Sequence, residues 1–215
     1  MSAEPQPHPW AAIGSGKGGT YAWFEPGANV GKVWGRHLPH WRQPGSVYFV
    51  TFRTADSIPA EALEAWARER AEWLASHPHP HDEGTAREYH SRFTARAERY
   101  LDGCHGECPF RDGAARGIVL EVLHKLDGES YALDGYGVMP NHVHVLCAPA
   151  AGQELSEITK TWKSVTAHRL NKLRGQKGAI WQHESWDHIV RGPEHLERYR
   201  RYIRENPSRL PMVGQ

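Results

Sequence analysis

Two histidines two residues apart, His142 and His144, stand in the apolar run Met139-Pro140-Asn141-His142-Val143-His144-Val145-Leu146. In a strand, successive side chains point to opposite faces. Both imidazoles therefore share one face, while Val143, Val145 and Cys147 point the other way, toward a core. Two imidazoles side by side on a rigid element make half of a divalent metal site. Pro140-Asn141, just before them, has the composition of a tight turn after a preceding strand. The same pattern also describes a half-buried strand with two hydrogen-bonded histidines and no ligand.

The other half of such a site is offered near the end of the chain. From Pro193 onward, Leu196, Tyr199 and Ile203 fall on one face of a helix. Tyr202 lies about 90° round from the middle of that stripe. Asn206 follows Tyr202 by four residues, so their side chains are neighbours along one edge. An amide oxygen there can be a third ligand to an ion held by His142 and His144, with the Tyr202 phenol beside it as a nucleophile. Alternatives stay open: Asn206 precedes Pro207 and can simply end the helix, and Tyr202 can be a boundary tyrosine. Tyr199 is a rival nucleophile that lies nearer the core stripe.

Around these residues the 215-residue chain must build a scaffold, and its length suits one domain with appendages. It is polar, yet nine Trp, eight Tyr and five Phe can anchor a core. No apolar run approaches the roughly 20 residues needed to span a bilayer, so no membrane partner is expected. The N-terminus lacks a signal-peptide pattern, and three cysteines do not suggest a secreted disulfide framework. A reducing cytoplasm is the expected compartment. The net charge of +1 does not mark a strongly basic nucleic-acid binder. The charge is uneven, however: residues 155–210 hold 12 Lys/Arg against 6 Asp/Glu, and residues 54–112 hold 7 against 12. The basic third follows the histidine strand, where an anionic partner fits.

Taken in order, residues 1–35 are rich in Gly, Pro and isolated aromatics and read as a flexible tail. Gly14-Ser15-Gly16-Lys17-Gly18-Gly19-Thr20 lacks the spacing of a phosphate-binding loop. Arg36 to Gly45 is a basic, proline-stiffened loop, and Ser46 to Arg53 a β-branched and aromatic first strand. A helix runs from Pro59 to about Ser76, broken by the exposed His77-Pro78-His79-Pro80-His81 linker, and a second charged helix spans about 85–101. Cys104-His105-Gly106-Glu107-Cys108 offers soft ligands without a second pair to complete a zinc site. An apolar-periodic helix over 113–126 is followed by a strand from Tyr131 to Met139, with the histidine strand as its hairpin partner. A basic helix over 156–173 ends at Gly175, and a fourth strand segment covers Trp181 to Arg191. The last helix stops before Pro207, and 208–215 form a short tail. The order strand, helices, strand, strand, helix, strand, helix predicts an α+β fold. It is a ferredoxin-like or RRM-like four-stranded antiparallel sheet with helices, the C-terminal helix being extra to that unit.

Several of these stretches together resemble one family. Met139 to His144 is similar to the histidine–hydrophobe–histidine (HUH) motif of single-tyrosine transposases, and the closer match is to REP-associated tyrosine transposases. His37-Leu38-Pro39-His40-Trp41-Arg42-Gln43-Pro44-Gly45 followed by Tyr48-Phe49-Val50-Thr51-Phe52 resembles the opening of that family. Trp162 to Thr166, Trp181-Gln182 and Asp187 to Arg191 resemble its middle, and Tyr202-Ile203-Arg204-Glu205-Asn206-Pro207 its nucleophile helix. The motifs run in the family's order over residues 36–207, which makes that span the transposase domain. Trp186 stands where the family pattern has Tyr or Phe, and the His-Pro tract and the first 35 residues lie outside it.

The resemblance implies that His142, His144 and Asn206 hold Mg²⁺ or Mn²⁺ and that Tyr202 attacks single-stranded DNA, forming a 5′-phosphotyrosine. It implies as partner a hairpin formed by REP-like palindromes in a bacterial cell. The protein acts as a monomer or homodimer. Lys163 and Arg169 on the basic helix, with Arg36, Trp41 and Arg42 on the early loop, are the expected DNA contacts. A rival reading is a non-catalytic single-stranded nucleic-acid-binding module. That reading requires stacking aromatics on the sheet face to which His142 and His144 point. Histidine-triad and zinc hydrolases need a further His or Glu that is not in place: position 146 is Leu.

Overall fold

The computed structural model describes residues 24, 31–34, 39–78 and 82–206. Two short strands, β1 (Gly31–Trp34) and β2 (Pro39–Arg42), pair antiparallel as a separate hairpin. The stretch expected to be tail thus contains a strand, and Phe24 packs against the main core. A four-residue strand is too short to show a two-residue alternation, so composition alone gave no sign of it. The rest of residues 1–35, with the Gly-Ser-Gly-Lys stretch, lies outside the described residues, as do Arg36, residues 79–81 and 207–215.

The main sheet is built from β3 (Tyr48–Arg53), β4 (Tyr131–Val138), β5 (His142–Pro149) and β6 (Trp186–Ile189). Their spatial order is β4-β5-β3-β6 and every pairing is antiparallel, as the ferredoxin-like connectivity requires. The fourth strand is shorter than its sequence suggested. Trp181 makes a single bridge to Thr54 and stacks on Phe110 at 5.1 Å between centroids, while the Gln182 N–H donates to the Arg53 carbonyl. The chain then joins the sheet only at Trp186.

One face of the sheet carries Tyr48, Val50 and Phe52 of β3 beside Val143, Val145 and Cys147 of β5. Against it pack α4 (Gly113–Lys125) and α5 (Leu155–Arg174). Helix α4 starts where the Asp112 side chain accepts a hydrogen bond from the Ala115 N–H at 2.9 Å, capping an orphan donor. Helix α5 buries Leu155, Ile158, Trp162, Thr166 and Leu170, spaced three or four residues apart, and stops at Gly175 with φ 62°. Each large apolar side chain buried here contributes about 1.5–3 kcal/mol.

The opposite face is covered by α6 (Pro193–Glu205), which lays Leu196 and Ile203 over Phe49, Leu146 and Ala148. Helix α6 crosses β4 above Gly135 and Gly137. A Cβ built at either position would lie 3.7 Å from Ile203, so these glycines bring the helix to contact distance. Before α4 come α1 (Ala60–Ser76), α2 (Glu83–Tyr89) and α3 (Ala95–Asp102). The second helix expected from sequence is therefore two, with a π-helical turn at His90–Thr94 between them.

Candidate active site

The register of β5 against β3 places Thr51 opposite His144 and Arg53 opposite His142. Directly paired residues share a face, so all four line the side of the sheet that α6 covers. His142 and His144 are fully buried there. The Asn141 amide is oriented by its Nδ2, which donates to the His105 carbonyl at 2.8 Å. Its Oδ1 therefore faces His142 Nδ1, also at 2.8 Å, and that nitrogen must carry the proton. His142 Nε2 is left with its lone pair. His144 Nδ1 is held by the Thr51 hydroxyl at 2.8 Å. The two Nε2 atoms face each other at 3.0 Å.

This geometry suits a cation. Two neighbouring ligands of an octahedral ion at about 2.1 Å are themselves about 3.0 Å apart. Burial pushes His142 down to about 3 and His144 well below the ordinary imidazole value, the His142 neighbour adding to the second shift. Both rings are thus neutral near pH 7, the form that ligates metals. The tie at each Nδ1 fixes ring orientation as an outer shell does in metal sites.

Helix α6 brings Tyr202 to the pair. Its ring meets His144 edge-on with centroids 5.1 Å apart and meets Phe49 edge-on at 5.9 Å. The Tyr202 hydroxyl is shielded from solvent. Tyr199, the rival, instead stacks flat on Phe49 at 4.2 Å, and burial raises its phenol above the usual range. Asn206 follows as the helix's C-terminal cap, 1 % exposed. Its Nδ2 and Oδ1 are both buried and have no hydrogen-bond partner among the described residues. An orphaned buried amide is costly, and its oxygen is the ligand type that hard divalent cations take. Among the described residues no three His, Cys, Asp or Glu side chains form a metal-holding group. A three-ligand site here therefore depends on the amide. Cys104 and Cys108 do not assemble one: the Cys108 thiol donates to the Cys104 carbonyl at 3.0 Å.

The helix is pinned by a bidentate ion pair. Arg200 donates to both oxygens of Asp134 at 2.9–3.1 Å, where the register of β4 shifts between Leu133 and Gly135. Asp134 was not singled out by sequence, and nor was Asp102, at the end of α3. Asp102 Oδ1 lies 3.9 Å from His142 Nε2. One turn earlier, Glu98 is pushed up to about 7, by burial first and by Asp102 second. Thr51 and Arg53 were also missed. Their spacing of two in a strand matches that of the histidines, and only the register shows that the two pairs are opposed.

The expected DNA contacts lie elsewhere. Lys163 and Arg169 sit on α5, across the sheet from the histidines. Lys163 donates to the His183 carbonyl at 2.6 Å. Arg169 pairs with Glu121 and Arg42 pairs bidentately with Asp187. Trp41 is 43 % exposed. On the histidine face Phe49 is buried beneath Tyr199, and Trp186, opposite Thr51 in the register, is half-buried with the Arg53 guanidinium over its ring. No helix is long and apolar enough to cross a membrane among the described residues.

Residues 114–206 match the family model of IS200-like transposases. That span runs from the start of α4 to Asn206 and contains both histidines and Tyr202. No curated protein matches the chain. Among solved structures, one similar chain is a REP-associated tyrosine transposase bound to a REP hairpin, at 15 % identity and TM-score 0.40. The match covers 80 % of this chain and 73 % of that one. Another is a putative transposase from Deinococcus radiodurans, at 13 % identity and TM-score 0.35, covering 85 % of this chain and 97 % of that one.

Proposed function

We propose that this chain is a metal-dependent single-tyrosine transposase that nicks and rejoins single-stranded, hairpin-forming DNA. The observation that carries the reading is the meeting of three side chains from two elements: the facing Nε2 atoms of His142 and His144, with the Tyr202 ring against His144. The match of residues 114–206 to IS200-like transposases supports it. His142, His144 and Asn206 would hold Mg²⁺ or Mn²⁺, which would supply Lewis-acid polarisation of the phosphate and offset charge in the transition state.

The chain's own residues do the rest. Tyr202 Oη attacks phosphorus in line, its proton passing to solvent, as the bond from phosphorus to the 3′ oxygen breaks and that oxygen takes up a proton from solvent. The products are a 5′-phosphotyrosine and a free 3′-hydroxyl. Attack by a 3′-hydroxyl on that phosphotyrosine reverses the bond exchange, so rejoining needs no ATP. The Arg200–Asp134 pair sets the height of α6 and hence the approach of Tyr202. The cover of α6 over Phe49 weighs against the open-platform binding module, which needs exposed aromatic rings.

The test is covalent capture. Hairpin DNA from beside the protein's own gene, labelled at its 3′ end, is incubated with protein and Mg²⁺ or Mn²⁺ and denatured. A protein–DNA band that requires the metal is expected, absent in Tyr202→Phe and retained in Tyr199→Phe. A band that persists in Tyr202→Phe removes the assigned nucleophile. Tight metal-independent binding without a band, across a panel of hairpins, favours the binding module instead.

A further inference from the structure

The segment that joins α3 to α4 is tied to the turn in front of the histidines. The Phe110 N–H donates to the Pro140 carbonyl at 3.0 Å, and the His105 carbonyl accepts from Asn141 Nδ2 at 2.8 Å. Cys104 and Cys108 both bend this segment with φ 53°, a left-handed conformation uncommon outside glycine. Leu101, at the end of α3, is fully buried, and the Cys104 thiol donates to the Asp102 carbonyl at 3.5 Å. The C-terminal end of α3 is thereby fixed against the histidine strand, and the Asp102 side chain with it.

Asp102 Oδ1 is shielded from solvent and lies 3.9 Å from His142 Nε2. This is not an ordinary aspartate–histidine pair. The proton of His142 sits on Nδ1, facing Asn141, so Nε2 presents a lone pair and has no hydrogen to give a carboxylate. Asp102 is also the last residue of α3, where the helix dipole is negative and disfavours an anion. A cation beside the two histidine nitrogens relieves both conflicts. The ligand set there, two imidazoles and the Asn206 amide, is neutral, whereas hard divalent ions are commonly held with at least one carboxylate. The 3.9 Å separation exceeds the roughly 3.0 Å between neighbouring ligands of one octahedral ion. Nor do three His, Cys, Asp or Glu side chains form a metal-holding group among the described residues. Asp102 therefore stands just outside the ligands, where ligand-orienting carboxylates act.

We propose that Asp102 is a positioning residue that holds the divalent ion of the histidine pair by accepting hydrogen bonds from water on that ion. This deepens the transposase reading and rests on it for the presence of an ion. Mg²⁺ and Mn²⁺ suit such a hold, because Mg²⁺ gives up its waters reluctantly and Mn²⁺ takes the same oxygen ligands. Asp102 precedes residues 114–206, so the hold comes from a segment that the family match does not include.

The experiment titrates the full chain with Mn²⁺, without DNA, and follows free Mn²⁺ by electron paramagnetic resonance. The wild type is expected to bind Mn²⁺ at a site lost in His142→Ala. Asp102→Asn should weaken that binding about tenfold, and Asp102→Ala somewhat more. Glu98→Gln, which removes a carboxyl one turn away on the same helix, should change it less than twofold. Water-proton relaxation should count as many waters on the bound Mn²⁺ in Asp102→Asn as in the wild type. The metal-free Tm of Asp102→Asn should be unchanged or raised, since the variant removes an anion from the wrong end of a helix. Unchanged affinity in Asp102→Asn overturns this proposal alone. So does weaker binding with a lower metal-free Tm, which marks a structural role, or a gain of one water, which marks direct ligation. Absent wild-type binding, or binding that survives His142→Ala, overturns the metal site of the transposase reading and the role of Asp102 with it.

Discussion

The two faces of the sheet are both buried, yet they treat polar atoms in opposite ways. On the face covered by α4 and α5, the buried polar groups of the core aromatics and their partners are joined to one another. Trp162 Nε1 donates to the Tyr131 hydroxyl at 2.9 Å, that hydroxyl donates to the Leu123 carbonyl, and Trp181 Nε1 donates to Thr166. On the face covered by α6, two neutral imidazoles confront each other across 3.0 Å and a buried amide has no partner among the described residues. Arg53 lies on that side with no carboxylate partner among the described residues. The first arrangement is what a stable core selects. In the second, the imidazoles can share one N–H between their Nε2 atoms, but the amide is left unsatisfied, which is unfavourable without a ligand, and all three side chains belong to the proposed active site.

The contrast is sharpest when one residue is removed from each side. His142→Ala is expected to lower metal-dependent cleavage about a thousandfold, the worth of several kcal/mol of transition-state stabilisation. Leu123→Ala, beneath the other face, should cost about 3 kcal/mol of stability and about 10 °C in Tm with cleavage per folded molecule retained. Cleavage assays and thermal melts on both variants check this, and a Leu123→Ala loss of cleavage as large as that of His142→Ala would erase the division. Arg200→Ala removes the bidentate partner of the nearly buried Asp134 carboxylate and loosens the hold on α6. Cleavage in a single-turnover assay should fall about 10- to 100-fold, since small misplacement of a nucleophile costs that much.

Acid should strike the α6 face next. His188 and His195 are lowered by burial to about 4 in the folded chain, against an ordinary value of 6.5, with Arg198 and Arg191 adding to both shifts and Asp187 opposing that of His188. Below pH 6.5 the unfolded chain takes up protons that the folded chain refuses. Stability present above that pH is therefore lost as pH falls toward 4. Melts at pH 7, 5.5 and 4.5 should show a decline about 2 kcal/mol smaller in the His188→Gln/His195→Gln double variant than in the wild type. The smallest effect has the opposite sign: Asn206→Leu removes an unsatisfied buried amide and should raise the metal-free Tm by roughly 3 °C. An unchanged or lower Tm would mean that the amide is satisfied in solution.

Particular residues show how much could be read in advance. The alternation around His142 and His144 assigned their faces correctly because a strand has a period of two. The stripe of Leu196, Tyr199 and Ile203 placed α6 against the sheet, and the spacing of Tyr202 from that stripe put its ring at the edge that meets His144. By contrast, nothing local points to the carboxylates that Arg42 and Arg169 meet. Arg42 and Asp187 are 145 residues apart in sequence, and Arg169 and Glu121 are 48 apart. No local pattern carries such pairings.

The sequence by itself determined the order of the four main-sheet strands and of the helices packed on them, the shared face of the two histidines and the helix that bears Tyr202, because periodicity and turn chemistry are local properties. The tertiary structure alone decided the rest. It set the register that puts Thr51 behind His144 and Arg53 beside His142. It turned the Asn141 amide so that His142 keeps its Nε2 lone pair, brought Asp102 to 3.9 Å from that nitrogen and tied α6 to β4 through Arg200 and Asp134. Those outcomes depend on which distant segments come into contact, and only the packed chain specifies them.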